Sequence, residues 1–438
     1  MTVTIDPPSV PADATSVATV TVKFRNPENG QPWKGQQVIL TSSGKGTRIV
    51  IPNSVTNDDG VVTATISSTF VEKKTIKAQV GDYYNSADIN FSGCTSALFA
   101  PLAPVALNAK VGALIASDFN RDGNADVVFT DDLRHPSVWL GNGDGTFRNV
   151  PGDALDTRVS SFNTGDVNND GKVDIVVTTN ESGSAGVSIL LGKGDGTFER
   201  GATFSTGNAF CKSAPQDYSG DGKLDLVVSD ETGNLSVLLG NGDGTFQSGI
   251  NTAISQSPNG VLSGDYNGDG KRDIGLYTQR DHTMSILLGN GSGAFQKAFG
   301  YDLGEAPYPS TVGDFNGDGK SDLAVGFYDN NLKVLLATGN GALSSAVPYS
   351  VGTGPVPTTG DLDGDGKPDL LTANSEETSI SLLIGNGDGT FQSQIPYGNL
   401  IGPSNPNVGD FNGDGKIDFA VTNYPGALNV FLRTGCSR

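Results

Sequence analysis

Histidine is almost missing from this chain: two residues, His135 and His282, in 438. Cysteine occurs three times, and tryptophan and methionine twice each. A transition-metal centre built from imidazole and thiolate has few ligands to draw on. Basic residues are outnumbered, 28 against 48 acidic, for a formal net charge of −20. That balance excludes non-specific nucleic-acid binding, which needs a basic surface. No apolar run reaches the 18 residues of a membrane-spanning helix. A signal peptide is not visible at Met1 either, because Met1-Thr2-Val3-Thr4-Ile5-Asp6 already reads as a strand. The chain therefore reads as a mature or trimmed form of an exported protein.

What is abundant is glycine, 60 residues, and aspartate in a fixed pattern. The stretch Asp314-Phe315-Asn316-Gly317-Asp318-Gly319-Lys320-Ser321-Asp322 recurs seven times, beginning at Asp118, Asp166, Asp217, Asp265, Asp314, Asp361 and Asp410. The steps are 48, 51, 48, 49, 47 and 49 residues, which is the signature of a repeat architecture. Side-chain oxygens stand at positions 1, 3 and 5, glycine at 6 and Asp at 9. Oxygens on alternating residues of a tight loop can converge on one point, and the glycine lets the backbone bend around it. The order is like the front half of an EF-hand loop, in which position 7 offers its carbonyl. A hard cation is implied, and Ca²⁺ fits best; Mg²⁺ prefers fewer carboxylates and keeps its waters.

The expected ligands are Asp118, Asn120, Asp122, Asn124 and Asp126 in the first loop. The second has Asp166, Asn168, Asp170, Lys172 and Asp174, and the third Asp217, Ser219, Asp221, Lys223 and Asp225. The fourth has Asp265, Asn267, Asp269, Lys271 and Asp273, and the fifth Asp314, Asn316, Asp318, Lys320 and Asp322. The sixth has Asp361, Asp363, Asp365, Lys367 and Asp369, and the seventh Asp410, Asn412, Asp414, Lys416 and Asp418. Position 7 counts for its backbone carbonyl, so its side-chain type is expected to matter little. Asp-Gly and Asn-Gly pairs also make ordinary turns, but a turn does not need the closing Asp. Ser219 is a poor ligand, so the third loop is expected to be weak or empty. Asp363 gives the sixth loop four acids and is expected to make the tightest site. The loops hold 22 Asp, three in each plus Asp363. Up to seven Ca²⁺ would bring +14 and leave −6, so most of the acidity reads as metal-site charge.

Residues 1–92 lack the nonapeptide. Strand-like runs lie at 16–24, 37–40, 60–66, 75–80 and 87–91, separated by turn signals, which suggests a β-sandwich. The runs Ala14–Val22, Gly35–Thr41 and Thr56–Ala64 resemble bacterial Ig-like domains of the invasin/intimin type. The resemblance implies a spacer or stalk unit on a cell surface. Trp33 falls in a loop, and reads as a half-buried aromatic rather than a contact residue.

From residue 93 on, one unit reads as four strands. In the fourth copy these are 260–264, 273–277, 283–288 and a strand starting at 294, with the Asp loop between the first two. Four antiparallel strands make a propeller blade, and seven units predict seven blades over residues 93–438. The nonapeptides and this blade pattern resemble the FG-GAP/VCBS repeats of integrin α-subunit heads and bacterial surface proteins. The resemblance implies that all seven loops share one face and that partners bind the opposite face. A second phrase, Gly-Asn-Gly-Asp-Gly-Thr-Phe, stands at 141–147, 240–246 and 385–391, with Lys193 replacing Asn at 192–198. It decays at 289–295 and 337–343. A second metal site is one reading; the favoured one is a hairpin turn whose Phe packs between blades.

The seventh unit stops before its fourth strand, and a candidate for that strand lies at 97–102. One blade would then be shared by both ends of the propeller sequence. Cys94 and Cys436 both fall where the missing turn should be, and a Cys94–Cys436 disulfide is expected there, which supports an oxidising location. Cys211 is left over and reads as a buried free thiol.

No catalytic constellation is visible. His135 and His282 fall in turns three repeats apart, against Ser-His-Asp chemistry. The all-β reading is therefore an Ig-like sandwich followed by a seven-bladed propeller. The function expected is that of a non-enzymatic, extracellular, calcium-binding surface protein, adhesive or self-assembling. Its partners would be a surface protein or glycan, or copies of itself. A lectin-type propeller is the alternative, and a calcium-assisted polysaccharide lyase a more distant one.

Overall fold

The computed structural model describes residues 1–11, 17–44, 47–68, 72–92, 98–107, 111–131, 135–150, 159–179, 186–205, 212–230, 233–254 and 258–434. Cys94, Cys211 and Cys436 lie outside them, so the expected disulfide does too. Two units are distinguished: Met1–Ala100 with Arg433–Arg438, and Pro101–Leu432.

Among its described residues the first unit contains the strands β1 (Thr2–Asp6), β2 (Ser9–Pro11), β3 (Ala18–Lys23), β4 (Ile39–Ser42), β5 (Thr47–Val50), β6 (Val61–Ser68), β7 (Glu72–Val80) and β8 (Tyr83–Ser92). They form two four-stranded sheets, β1-β3-β6-β5 and β2-β8-β7-β4. Alternation decides which side is inside. Val20 and Val22 of β3, Ala64 and Ile66 of β6, Ile76 and Ala78 of β7 and Phe91 of β8 are buried together. β2 and β5 are too short to show alternation, and the sequence did not reveal them. Trp33 stacks on Phe24 with ring centroids 5.4 Å apart, packed against this core.

Among the described residues the second unit contains seven blade sheets and a two-stranded sheet, Ala337–Gly339 with Ala342–Leu343. In the first blade the strands are β11 (Leu114–Ser117), β12 (Asp126–Thr130), β13 (Pro136–Gly141) and β14 (Phe147–Asn149), paired in chain order. They follow β9 (Phe99–Pro101) and β10 (Val105–Ala106). The fourth blade has Gly260–Gly264, Asp273–Thr278, Thr283–Gly289 and Phe295–Asp302, close to the strands read from its sequence. The second strand of a blade is buried on both faces, so its apolar run is continuous instead of alternating. In the fifth blade Leu323 and Val325 pack with Tyr266, Met284 and Ile286 of the fourth. Ala324, between them, packs with Leu370 and Leu383 of the sixth.

The seventh blade has the strands Ser404–Gly409, Asp418–Asn423 and Ala427–Arg433, with β10 as its outer strand and β9 also pairing Ala427–Arg433. The Leu102 N–H donates to the Val430 carbonyl (2.9 Å), and the Leu107 N–H to that of Gly426 (3.0 Å). The seventh blade also holds the first: the Ala116 N–H donates to Asn407 Oδ1 (3.1 Å) and the Ala125 N–H to the Asp410 carbonyl (2.8 Å).

Candidate metal centres

Every Asp loop joins the innermost strand of its blade to the second, and its position 9 opens that second strand, as Asp126 opens β12. The backbone is left-handed at position 6 of all seven loops, from Gly415 (φ 77°) to Gly123 (φ 86°). Position 4 is left-handed too, even where it is Arg121 (φ 63°) or Asn169 (φ 56°). The sequence signalled the first bend through its invariant glycine within this chain and concealed the second.

The hydrogen bonds of the loop repeat almost without change. Oδ2 of position 1 accepts the N–H of position 6 in all seven, at 2.7–3.0 Å. Oδ1 of position 1 accepts the N–H of position 5 in six loops. The sixth loop is the exception: Asp361 Oδ1 is buried with no hydrogen-bond partner. There Asp361, Asp363 and Asp369 each place one carboxylate oxygen within 4.8 Å of the other two. Asp363 and Asp369 are buried. Among the described residues this is the one group of three acidic, His or Cys side chains so gathered. The carboxylates at positions 1, 5 and 9 of the other loops are not brought together in this way. A buried orphan oxygen between two buried carboxylates fits a hard cation, since the four acids of this loop face a single lysine, Lys367.

Position 9 has a role that its reading as a closing ligand did not include. Its Oδ2 accepts the N–H of position 2 in all seven loops, at 2.7–3.0 Å. In six loops its Oδ1 accepts the N–H of a residue at or just beyond the end of the blade's third strand, for example Gly141 for Asp126 and Gly385 for Asp369, both at 2.8 Å. The buried carboxylate thus ties the loop to the third strand and leaves only its remaining lone pairs for a cation. Burial pushes Asp126, Asp273 and Asp322 up to about 6 and Asp369 up to about 7 against these N–H bonds, and neighbouring carboxylates add to it. A bound divalent cation would favour the ionised form again.

Position 7 is not neutral ground either. Oδ1 of the position-5 Asp accepts its N–H in every loop, at 2.8–3.0 Å. Where position 7 is Lys, the ammonium lies beside Oδ2 of the same Asp, as in Lys172–Asp170 at 2.8 Å and Lys367–Asp365 at 2.6 Å.

The second phrase is a turn that clamps neighbouring blades. Asp144 Oδ1 accepts both the N–H (2.9 Å) and the hydroxyl (2.5 Å) of Thr146, and Asp195, Asp243 and Asp388 repeat this. The N–H of the following glycine donates to the position-2 carbonyl of the preceding blade's Asp loop: Gly196 to Phe119, Gly244 to Val167 and Gly389 to Phe315. The Phe of the turn meets the aromatic ring at that same position 2, as in Phe198–Phe119 (5.5 Å) and Phe391–Phe315 (5.4 Å). Position 2, silent in the metal reading, carries the contact between blades.

His135 lies 3.6 Å from Asp131 of its own turn, and His282 occupies a left-handed turn position (φ 58°). Neither reaches the Asp loops in any contact among the described residues.

A family model for the FG-GAP-like repeat matches residues 118–177, 166–214, 217–276, 265–325, 314–372 and 361–421. Each match begins on the first Asp of a loop, and the seventh loop falls inside the last. A second model, the bacterial Ig-like domain (group 1), matches residues 1–92. No curated protein matches the chain. Two similar solved structures are crystal structures of BBS1N in complex with ARL6DN, one soaked with lead and one with mercury. Each is 13% identical, covers 78% of this chain and 98% of that one, and superposes with a TM-score of 0.58; that likeness concerns the fold. By the six repeat matches, the chain belongs to the FG-GAP-like repeat family, carrying its propeller behind a bacterial Ig-like domain.

Proposed function

We propose that this chain is a non-enzymatic, calcium-binding protein of the extracellular surface, whose propeller is stiffened by cations and which adheres to a partner or assembles with its own copies. The observation that carries the calcium reading is the sixth loop, with its three gathered carboxylates and the orphan Asp361 Oδ1. Asp361, Asp363, Asp365 and Asp369 would hold the ion there, and the Lys367 carbonyl would complete the set. The other six loops are graded by their position-3 residue, with Ser219 the poorest. The ion supplies no reaction; it offsets charge and fixes the loop.

Support for a binding role lies at the end of blades 5 to 7 away from the Asp loops. Tyr328 (51% exposed), Ile401 (62%) and Tyr424 (59%) stand out there. Tyr308 meets Tyr328 edge-on at 4.5 Å. Exposed aromatic side chains suit a protein contact or the face of a sugar ring, which keeps the lectin reading as the second one. Light scattering and negative-stain microscopy, with Ca²⁺ and with chelator, separate the two. Regular polymers that require Ca²⁺ are expected of a structural subunit. A monodisperse monomer in both conditions sinks self-assembly, and glycan-array binding lost in Tyr328→Ala and Tyr424→Ala would establish the lectin reading. Chelator-insensitive melting sinks the calcium reading itself.

A further inference from the structure

The lysines at position 7 form a recurring cluster that the cation reading leaves unused. They occupy this place in six of the seven loops. In four, the ammonium lies close to Oδ2 of the position-5 Asp: Lys172 at 2.8 Å, Lys320 at 2.8 Å, Lys367 at 2.6 Å and Lys416 at 3.0 Å. In the third and fourth loops the pair opens to 3.5 and 3.9 Å. The other oxygen of that Asp is already held by the N–H of the same lysine. Both oxygens of one expected cation ligand are therefore engaged by a single residue two positions on.

The lysine stem is also given its place. A Cβ added to Gly387 would stand 2.5 Å from Lys367 Cδ, and one added to Gly194 would stand 3.0 Å from Lys172 Cδ. The glycine of the blade's own turn leaves room for the stem to lie across the loop. The first loop departs from this. Position 7 is Asn124, whose Nδ2 donates to Asp122 Oδ1 at 2.8 Å without bringing a charge.

We infer that these lysines are built-in counter-cations that hold the position-5 carboxylate and set the loops' cation affinity by competition. The inference rests on the cation reading of the loops. Each lysine cancels one negative charge of its loop and occupies the oxygen that an entering ion would take. An entering Ca²⁺ has to displace the ammonium or share the carboxylate with it, and meets its repulsion in either case. The sixth loop, with four Asp, keeps the largest surplus of negative charge. In isolation such an exposed ion pair would contribute little to folding. Its effect on a divalent ion a few ångströms away is larger, about three- to tenfold in affinity at moderate salt.

The experiment is cation titration of the full chain by calorimetry and by Tb³⁺ luminescence, for the wild type, Lys367→Gln and Lys367→Arg. In the Gln variant the tightest site is expected to bind Ca²⁺ about three- to tenfold more tightly, with the gain shrinking at 0.5 M salt. Its metal-free melting temperature is expected to fall or stay level, while its rise on adding Ca²⁺ grows. A lysine that only props the loop would weaken both instead. The Arg variant is expected to stay near wild type. Unchanged or weaker Ca²⁺ binding in the Gln variant, with wild-type binding intact, overturns this inference alone. Absence of binding in the wild type overturns the cation reading beneath it.

Discussion

At the scale of residues, the Asp at position 9 is the most instructive. Asp225 and Asp369 each accept three backbone N–H groups, from Tyr218, Ser219 and Gly240 and from Leu362, Asp363 and Gly385 respectively. Truncating either to Ala strands three backbone donors, at about 1–3 kcal/mol for each buried one. In chelator, Asp225→Ala and Asp369→Ala are therefore expected to destabilise by similar amounts, about 3 kcal/mol or more. In Ca²⁺ the second is expected to cost more, because the sixth loop loses a ligand as well. Denaturant melts of both variants in both conditions check this. A gap that persists in chelator would mean that the ranking of the loops has another origin. The extra acid of the sixth loop was legible in the sequence, since Asp363 is visible there. The N–H bonds to position 9 were not, because their donors come from position 2 and from the third strand. Nor were the position-7 side chains, which the carbonyl reading treated as interchangeable.

At the scale of elements, the turn phrase and the Asp loop act as two halves of one joint. Gly389 is left-handed (φ 84°), and a Cβ there would stand 2.5 Å from Leu336 Cδ1 of the preceding blade. Gly366 is equally left-handed (φ 85°) but faces open space. Gly366→Ala is expected to cost about 1 kcal/mol, from backbone conformation alone. Gly389→Ala adds a clash within a packed seam, for about 2–4 kcal/mol in all. Thermal melts of the two variants make the comparison, and equal costs would count against the clamp. The sequence indicated the turn and the packing role of its Phe, because Gly, Asn and Phe recur in fixed order. It did not name the partner ring, because Phe119, Phe315 and Phe411 lie one blade away. The strands were readable wherever a turn signal bounded a long apolar run; β2 and β5, at three and four residues, offered too little pattern.

At the scale of the whole molecule, the seven copies of the repeat dictated the number of blades, whereas the outer strand of the last blade comes from a stretch other than the one expected. The outer strand of that blade is β10 (Val105–Ala106), beyond the 97–102 stretch expected to supply it; within that stretch β9 also pairs the strand Ala427–Arg433. Chain closure of this kind makes the ends of the propeller essential. Replacing Val105 and Leu107 with Asp is expected to open the seam and lower the melting temperature by several degrees, because both pack in the core cluster with Leu428 and Val430. An unchanged melt would contradict the shared blade. If Cys94 and Cys436 pair as their positions suggest, reductant is expected to lower stability further.

The most direct measurement is the melting temperature of the full chain, first in chelator and then after Ca²⁺ is restored. A cation bound only by the folded state adds ~2.7 kcal/mol for each site at a hundred times its Kd. A marked fall in chelator, fully recovered by Ca²⁺ and not by Mg²⁺ at the same concentration, is the expected result. A melting curve that does not move would contradict the account, and would leave the seven loops as turns stapled by their own hydrogen bonds.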